Sequence, residues 1–208
     1  MFAPGAARWL VVGAALLLVG WLLTLLEIGR APYVPVALLL VVTGLWLFFA
    51  VFFRDPDRPL GEGVVAAADG VVRAVTEEGD RTRVSVFMNV TDVHVNRVPT
   101  DATFAAIGTA GAGYRPAYRP DADRNVARTY DLTTAYGPVQ VVQITGILAR
   151  RLVSFVRVGD ARRKGDRFGM IVLGSRVDVI FPSARLVPSV RVGERVWAGR
   201  STIARERP

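Results

Sequence analysis

"VRVGDARRKGDRFG", residues 156–169, is answered by "VRVGERVWAGRSTI", residues 190–203. Both read valine-arginine-valine-glycine-acid, and in each a second glycine stands six residues after the first. Repetition at this distance predicts two copies of one hairpin-like unit folded about a pseudo-twofold axis. Around them lie "VVAAADGVVRAV" from Val64, "RTRVSVFMNV" from Arg81, "VQVVQITGIL" from Val139, "RLVSFVRVG" from Arg151 and "MIVLGSRVDVIF" from Met170. These runs are short, rich in valine and separated by glycine, proline and aspartate. The pattern predicts a mainly β domain, a β-rich α+β fold of barrel or sandwich type with antiparallel strands, rather than alternating β and α units.

The repeated turns resemble those of biotinyl and lipoyl carrier barrels, an analogy of fold alone. Such carriers present a lysine for modification. Lys164, the only lysine, lies inside a repeat without the usual flanks, and "ARRK" reads as a solvated charge run. Residues 108–125, "GTAGAGYRPAYRPDADRN", have no period and predict a long loop, in which Tyr114, Tyr118 and the arginines suit either a lid over an anionic headgroup or a merely mobile segment.

Ahead of the β domain, residues 9–26 and 31–53 carry no charge. A bilayer core of about 30 Å takes roughly 20 apolar residues in a helix, so both are candidate spans, joined by a turn holding Gly29 and Pro32. A signal peptide would have a shorter apolar region of about 7–15 residues and no second run. The chain is thus divided into a transmembrane hairpin, 1–53, and a domain from 54 to 208. Arg8, Arg54 and Arg58 flank the hairpin against Arg30 in its turn, which puts the large domain on the cytoplasmic face of a cell membrane.

The net charge of +8 is carried mostly by that domain, and its simplest use beside a bilayer is attraction to anionic lipid. No recognition module for nucleic acid is visible, which argues against that partner. With no cysteine and one histidine, disulfides, thiolate metal sites, cysteine nucleophiles and multi-histidine metal centres are excluded, and no metal is expected.

Within "FGMIVLGSRVDVIFP", residues 168–182, Gly174 and Ser175 interrupt an apolar stretch just before an alternating strand. A glycine there marks a bulge or a close backbone approach, or else a reactive peptide bond. If the serine hydroxyl attacks the preceding carbonyl, an ester replaces the amide, and glycine obstructs neither the bend nor the approach. β-Elimination then breaks the chain and leaves dehydroalanine, which hydrolyses to a pyruvoyl cap. A serine needs a base held by a third group. His94 in "DVHVNR" is the one imidazole, and Asp92 shares its face of a strand. Asp69 in "ADG" is a separate acidic candidate. Taken alone, Asp69 reads equally as a turn residue and His94 as a half-buried strand residue.

"ADG" at 68–70, "DVHVNR" at 92–97, "QITGILARRL" at 143–152 and "RFGMIVLGSRVDVIFP" at 167–182 together resemble the phosphatidylserine decarboxylase family in its short membrane-anchored bacterial form. The resemblance covers nearly all of the chain after Arg54, and its most specific element is Phe168, Gly169, Gly174, Ser175 and "RVDV". It implies cleavage between Gly174 and Ser175 into a large chain, 1–174, and a small chain, 175–208, that remain partners. The new terminus is a covalent pyruvoyl cofactor made from Ser175, an electron sink as pyridoxal phosphate is. It implies catalytic roles for Asp69, His94 and Ser175, and decarboxylation of phosphatidylserine to phosphatidylethanolamine and carbon dioxide. Long forms of the family carry two histidines three apart; the second position here is Arg97, which cannot act as a base near neutral pH. His94 then serves both processing and decarboxylation, or Asp92 or water takes part. Asn96, Gln143, Arg150 and Arg151 are candidates for headgroup contacts. A decarboxylase of another serine-headed lipid, such as an archaeal ether lipid, and a non-enzymatic membrane-tethered carrier or adaptor barrel are the alternatives. A homo-oligomer is left open.

Overall fold

The computed structural model describes residues 1–26, 33–117, 122, 124–146, 151–172 and 175–208. The chain divides into two compact units, Met1–Pro56 and Asp57–Pro208.

In the first unit, helices α1 (Ala6–Leu26) and α2 (Tyr33–Phe52) pair as a hairpin whose turn, 27–32, lies outside the described residues. Its open end is tied by Ala3 N–H to Phe53 O and Asp55 N–H to Met1 O, both at 2.8 Å. Two indoles bridge the helices: Trp46 donates to the Leu10 carbonyl (3.0 Å) and Trp21 to the Thr43 hydroxyl (3.2 Å). Trp46 thus satisfies its polar N–H inside the hairpin, which accounts for a tryptophan set deep in an apolar run. Among the described residues α1 is long and apolar enough to cross a bilayer, and most of its large side chains face outward.

In the second unit the strands are β1 (Val64–Val65), β2 (Gly70–Glu78), β3 (Arg81–Met88), β4 (Val95–Arg97), β5 (Ala102–Ala110), β6 (Ala127–Thr134), β7 (Gly137–Thr145), β8 (Arg151–Ser154), β9 (Ala161–Arg162), β10 (Arg167–Val172), β11 (Ser175–Pro182), β12 (Leu186–Pro188), β13 (Arg195–Val196) and β14 (Thr202–Glu206). The pairings between them are antiparallel, as the short alternating runs predict. An eight-stranded sheet has the order β13-β2-β3-β11-β7-β6-β5-β9, beside three-stranded sheets β1-β14-β12 and β4-β10-β8. The fold is mainly β with two helices at its N-terminal end.

β11 is the strand about which the large sheet is organised. Val177, Val179 and Phe181 point into the core, and by the two-residue period Ser175 shares their face. Arg176, Asp178 and Ile180 point the other way; Asp178 is fully buried and paired with Arg83 (2.9 Å) and Arg176 (3.0 Å). Hydrogen bonding to Glu78, with help from Asp178, pushes the Arg83 guanidinium even above its usual range. Phe104, Tyr130 and Phe168 pack edge to face or tilted, with centroids 5.0–6.1 Å apart, and close the core beneath β10.

The two V-R-V-G segments make the same backbone bonds. Gly159 N–H donates to Phe104 O and Gly193 N–H to Val72 O, each at 2.8 Å. In return Phe104 N–H donates to Asp160 O (3.0 Å) and Val72 N–H to Glu194 O (2.9 Å). Both glycines have positive φ, 91° and 90°. The stretch expected as a loop over 108–125 begins later, because β5 runs on to Ala110; beyond it Gly113 bridges Asn125. Tyr118 lies outside the described residues.

Gly70 leads β2 away from Asp69 with φ at +150°, and a Cβ there would stand 2.0 Å from the Phe87 carbonyl oxygen on β3. Since both the dihedral and the space exclude a side chain, Gly70→Ala is expected to destabilise the domain by about 3 kcal/mol or more. The check is thermal unfolding of the purified chain, where Tm falls by roughly 6–12 °C; an unchanged Tm would refute the close approach.

Candidate active site

Ser175 opens β11 between β3 and β7, with Met88 and Thr145 as its register partners on either side. Its side chain is fully buried, and its hydroxyl donates to the Met88 thioether at 3.2 Å. Sulfur is a weak acceptor, so this contact places the oxygen while leaving its proton lightly held. Gly174, the other half of the expected cleavage bond, lies outside the described residues, as does Arg150.

Behind Ser175 runs a buried chain of amides. Tyr130 O–H donates to Gln143 Oε1 (3.0 Å), Gln143 Nε2 donates to Asn96 Oδ1 (2.7 Å), and Asn96 Nδ2 reaches Met88 Sδ (3.9 Å). Burial pushes the Tyr130 phenol upward, so it keeps the proton it donates. Gly169 on β10 makes room for the chain, since a Cβ there would lie 2.9 Å from Gln143 Nε2 and 2.7 Å from the Val153 carbonyl. Asn96 and Gln143, expected as headgroup contacts, are fully buried and bonded to each other. Arg151 is exposed at the start of β8.

His94 is fully buried just before β4. Its Nδ1 stands 2.8 Å from the Asp92 carbonyl. A carbonyl only accepts, so Nδ1 carries a proton, and in the neutral imidazole the lone pair is on Nε2. The His94 carbonyl accepts from Ile171 N–H (3.3 Å), four residues before Ser175 on the same stretch of chain. The Asp92 carboxylate is used elsewhere, accepting Asn89 N–H at 2.8 Å and pairing with Arg195. Asp92 therefore orients the imidazole through its backbone, a role that side-chain periodicity does not show.

Asp69 is buried in the turn before β2. Val65 N–H donates to Pro99 O (2.8 Å) and Arg97 N–H to Ala67 O (2.9 Å), so residues 65–67 run antiparallel along 97–99 and carry Asp69 toward the His94 end. Its carboxylate accepts both terminal nitrogens of Arg58, at 2.5 and 2.7 Å, and the Ala198 N–H at 2.9 Å. Arg97, in the place of the family's second histidine, donates instead to the Gly165 carbonyl at 3.0 Å. Arg58, Met88, Tyr130 and Arg195 contact the candidate residues Asp69, Ser175, Gln143 and Asp92, and sequence reasoning did not find them.

The β domain is antiparallel, carries an enclosed serine at the head of a central strand and a buried imidazole just before β4, and has no thiol. The chain belongs to the phosphatidylserine decarboxylase family and is an enzyme of the decarboxylase class: the family profile, phosphatidylserine decarboxylase, matches residues 45–204. It is 39% identical over 211 aligned residues to the phosphatidylserine decarboxylase proenzyme of Thermobifida fusca, covering 98% of this chain and 92% of that one. A Streptomyces avermitilis proenzyme of the same name is 38% identical, with 98% and 93% covered. A putative archaetidylserine decarboxylase proenzyme of Methanococcoides burtonii is 42% identical over 164 residues, covering 77% and 76%. Membership of an enzyme family sets aside the carrier or adaptor alternative.

Proposed function

We propose that the chain cleaves itself between Gly174 and Ser175 and then decarboxylates phosphatidylserine to phosphatidylethanolamine at a membrane to which α1 and α2 anchor it, with the β domain on the cytoplasmic face. The single observation that carries this reading is the placement of Ser175: fully buried, interior-facing, its hydroxyl on a thioether.

In self-processing, Ser175 Oγ bonds to the Gly174 carbonyl carbon while its proton passes to His94 Nε2 and on to the departing Ser175 nitrogen. The C–N bond breaks and an ester remains. Loss of the Ser175 α-proton then expels the ester oxygen as the Gly174 carboxylate and leaves dehydroalanine. Addition of water and departure of ammonia give the pyruvoyl group at the new end of the small chain.

The surroundings fit that group. A small planar carbonyl takes the place of a small side chain in a site closed by Met88 and backed by the Asn96–Gln143–Tyr130 chain. The pyruvoyl supplies an electron sink for the carbanion left as carbon dioxide departs. His94 holds a proton relay position, Asn96 and Gln143 fix the wall behind the reacting atoms, and Arg151, at the start of β8, is an exposed cation available to a lipid phosphate. The matching bonds of the two V-R-V-G segments support the pseudo-twofold reading of the domain. A second reading, a decarboxylase of archaetidylserine, is favoured by the 42% identical relative of that name.

The test is an intact mass spectrum of the full chain purified in detergent, followed by turnover on vesicles of either lipid. Two chains, the smaller beginning as pyruvoyl at position 175, with carbon dioxide released from phosphatidylserine, is the expected result. One whole chain in the presence of lipid would refute self-processing, and turnover of archaetidylserine alone would select the second reading.

A further inference from the structure

The β domain contains an internal control for the role of Asp69. Adding 32 to residue numbers in the 65–72 region and subtracting 34 from those in the 190–200 region maps one half onto the other. Under this mapping Gly199 N–H to Ala66 O (2.9 Å) becomes Gly165 N–H to Val98 O (2.8 Å). The pairing of Arg195 with Val71 and Val196 with Gly70 becomes that of Ala161 with Thr103 and Arg162 with Ala102. The two bonds joining 65–67 to 97–99 exchange with each other, as they must if the axis passes between these segments.

Asp69 maps onto Asp101, and Ala198 onto Lys164. The structure repeats their contact: Asp69 accepts Ala198 N–H at 2.9 Å, and Asp101 accepts Lys164 N–H at 2.7 Å. Capping this turn is therefore the shared, structural task of the aspartate. The difference between the halves is Arg58. It takes both oxygens of Asp69, with side chains only 15% and 5% exposed, whereas among the described residues no arginine pairs with Asp101. The surroundings differ as well. Asp69 is carried toward the His94 end, while Lys164, whose backbone N–H meets Asp101, sends its ammonium to the Gly61 carbonyl at 2.8 Å.

We propose that Arg58 is a positioning residue for self-processing, which arms one half of a doubled fold: it fixes the Asp69 carboxylate in the turn that leads toward the His94 end of the domain, in a chain whose Arg97 donates to Gly165. A planar guanidinium binding two oxygens sets the orientation of the carboxylate as well as its place, which an ammonium does not. The proposal rests on the self-cleavage reading above.

The test follows cleavage of freshly translated full chain by mass spectrometry, with Tm measured on the Ser175→Ala form of each variant. Arg58→Lys is expected to cleave roughly 10- to 100-fold more slowly at matched Tm. Arg58→Ala should be slower still and regain rate when guanidinium ion is added below denaturing concentration. Asp101→Ala, which loses only the cap, should cleave within about twofold of the parent chain, since a surface cap alone is a small local term. Parent-like cleavage by Arg58→Lys would overturn the proposal. So would equal slowing of Arg58→Lys and Asp101→Ala with equal loss of Tm, or an Arg58→Lys chain that does not fold, since either makes the pair a fold determinant only. A parent chain that never cleaves would overturn the self-processing reading itself, and this inference with it.

Discussion

Ser175→Ala is expected to leave one uncleaved chain of 208 residues with no decarboxylase activity, at a Tm within a few degrees of the parent. The loss is complete because the proposed attack on Gly174 needs the Ser175 Oγ, and without the ester it forms no elimination can turn the Ser175 α-carbon into the pyruvoyl carbonyl that serves as the electron sink. The fold should tolerate the change. The Ser175 hydroxyl donates to a thioether, and a bond of that kind contributes no more than about 1 kcal/mol. Removing it leaves the Met88 sulfur with only the longer Asn96 Nδ2 contact at 3.9 Å, which is a small loss for so weak an acceptor. The strand itself is held by backbone pairing to β3 and β7 on both sides, from Ser175↔Met88 and Ser175↔Thr145 onward. An intact mass spectrum and assayed carbon dioxide release check both halves of the expectation. Cleavage in the alanine variant would move the scissile bond away from Gly174–Ser175 and refute the proposal.

The sequence shows the β class and singles out the candidate serine because both signals are local. Alternation from Val177 to Phe181 and the doubled V-R-V-G motif are visible within a dozen residues each. β5 was not visible, since "ATFAAIGTA" is alanine-rich and largely solvent-facing, and pairing with β6 and β9 rather than intrinsic preference makes it a strand. The site divides in the same way. His94, Asn96, Gln143 and Ser175 stand in recognisable motifs. Met88 meets Ser175 across 87 positions of chain through strand register, which periodicity on either strand does not specify. Arg58 counts, in sequence, as one more cation flanking an apolar run; only the turn that buries Asp69 gives it a carboxylate to bind. The same holds for Asp92, whose position two residues before His94 suggests a side-chain partnership. Its carboxylate in fact serves Arg195 and Asn89, and its carbonyl serves the imidazole.

His94→Gln is expected to slow self-cleavage by about 10²–10⁴-fold while the protein remains folded. Glutamine has a comparable volume and an amide N–H able to replace the bond to the Asp92 carbonyl, so the buried site stays filled and its acceptor stays satisfied. What it lacks is a basic lone pair where Nε2 stands. Asp92→Asn separates orientation by the carbonyl from orientation by the carboxylate. It keeps the backbone oxygen 2.8 Å from Nδ1 and loses only the charge that pairs with the half-exposed Arg195. Because the imidazole is still held in the same tautomer, Asp92→Asn should cleave within roughly tenfold of the parent chain, far above His94→Gln on the same scale. Timed mass spectra of the two variants give the comparison directly. Parent-like cleavage by His94→Gln would require a base other than the chain's single imidazole, and equal loss in both variants would show that the Asp92 carboxylate, not its carbonyl, sets the histidine.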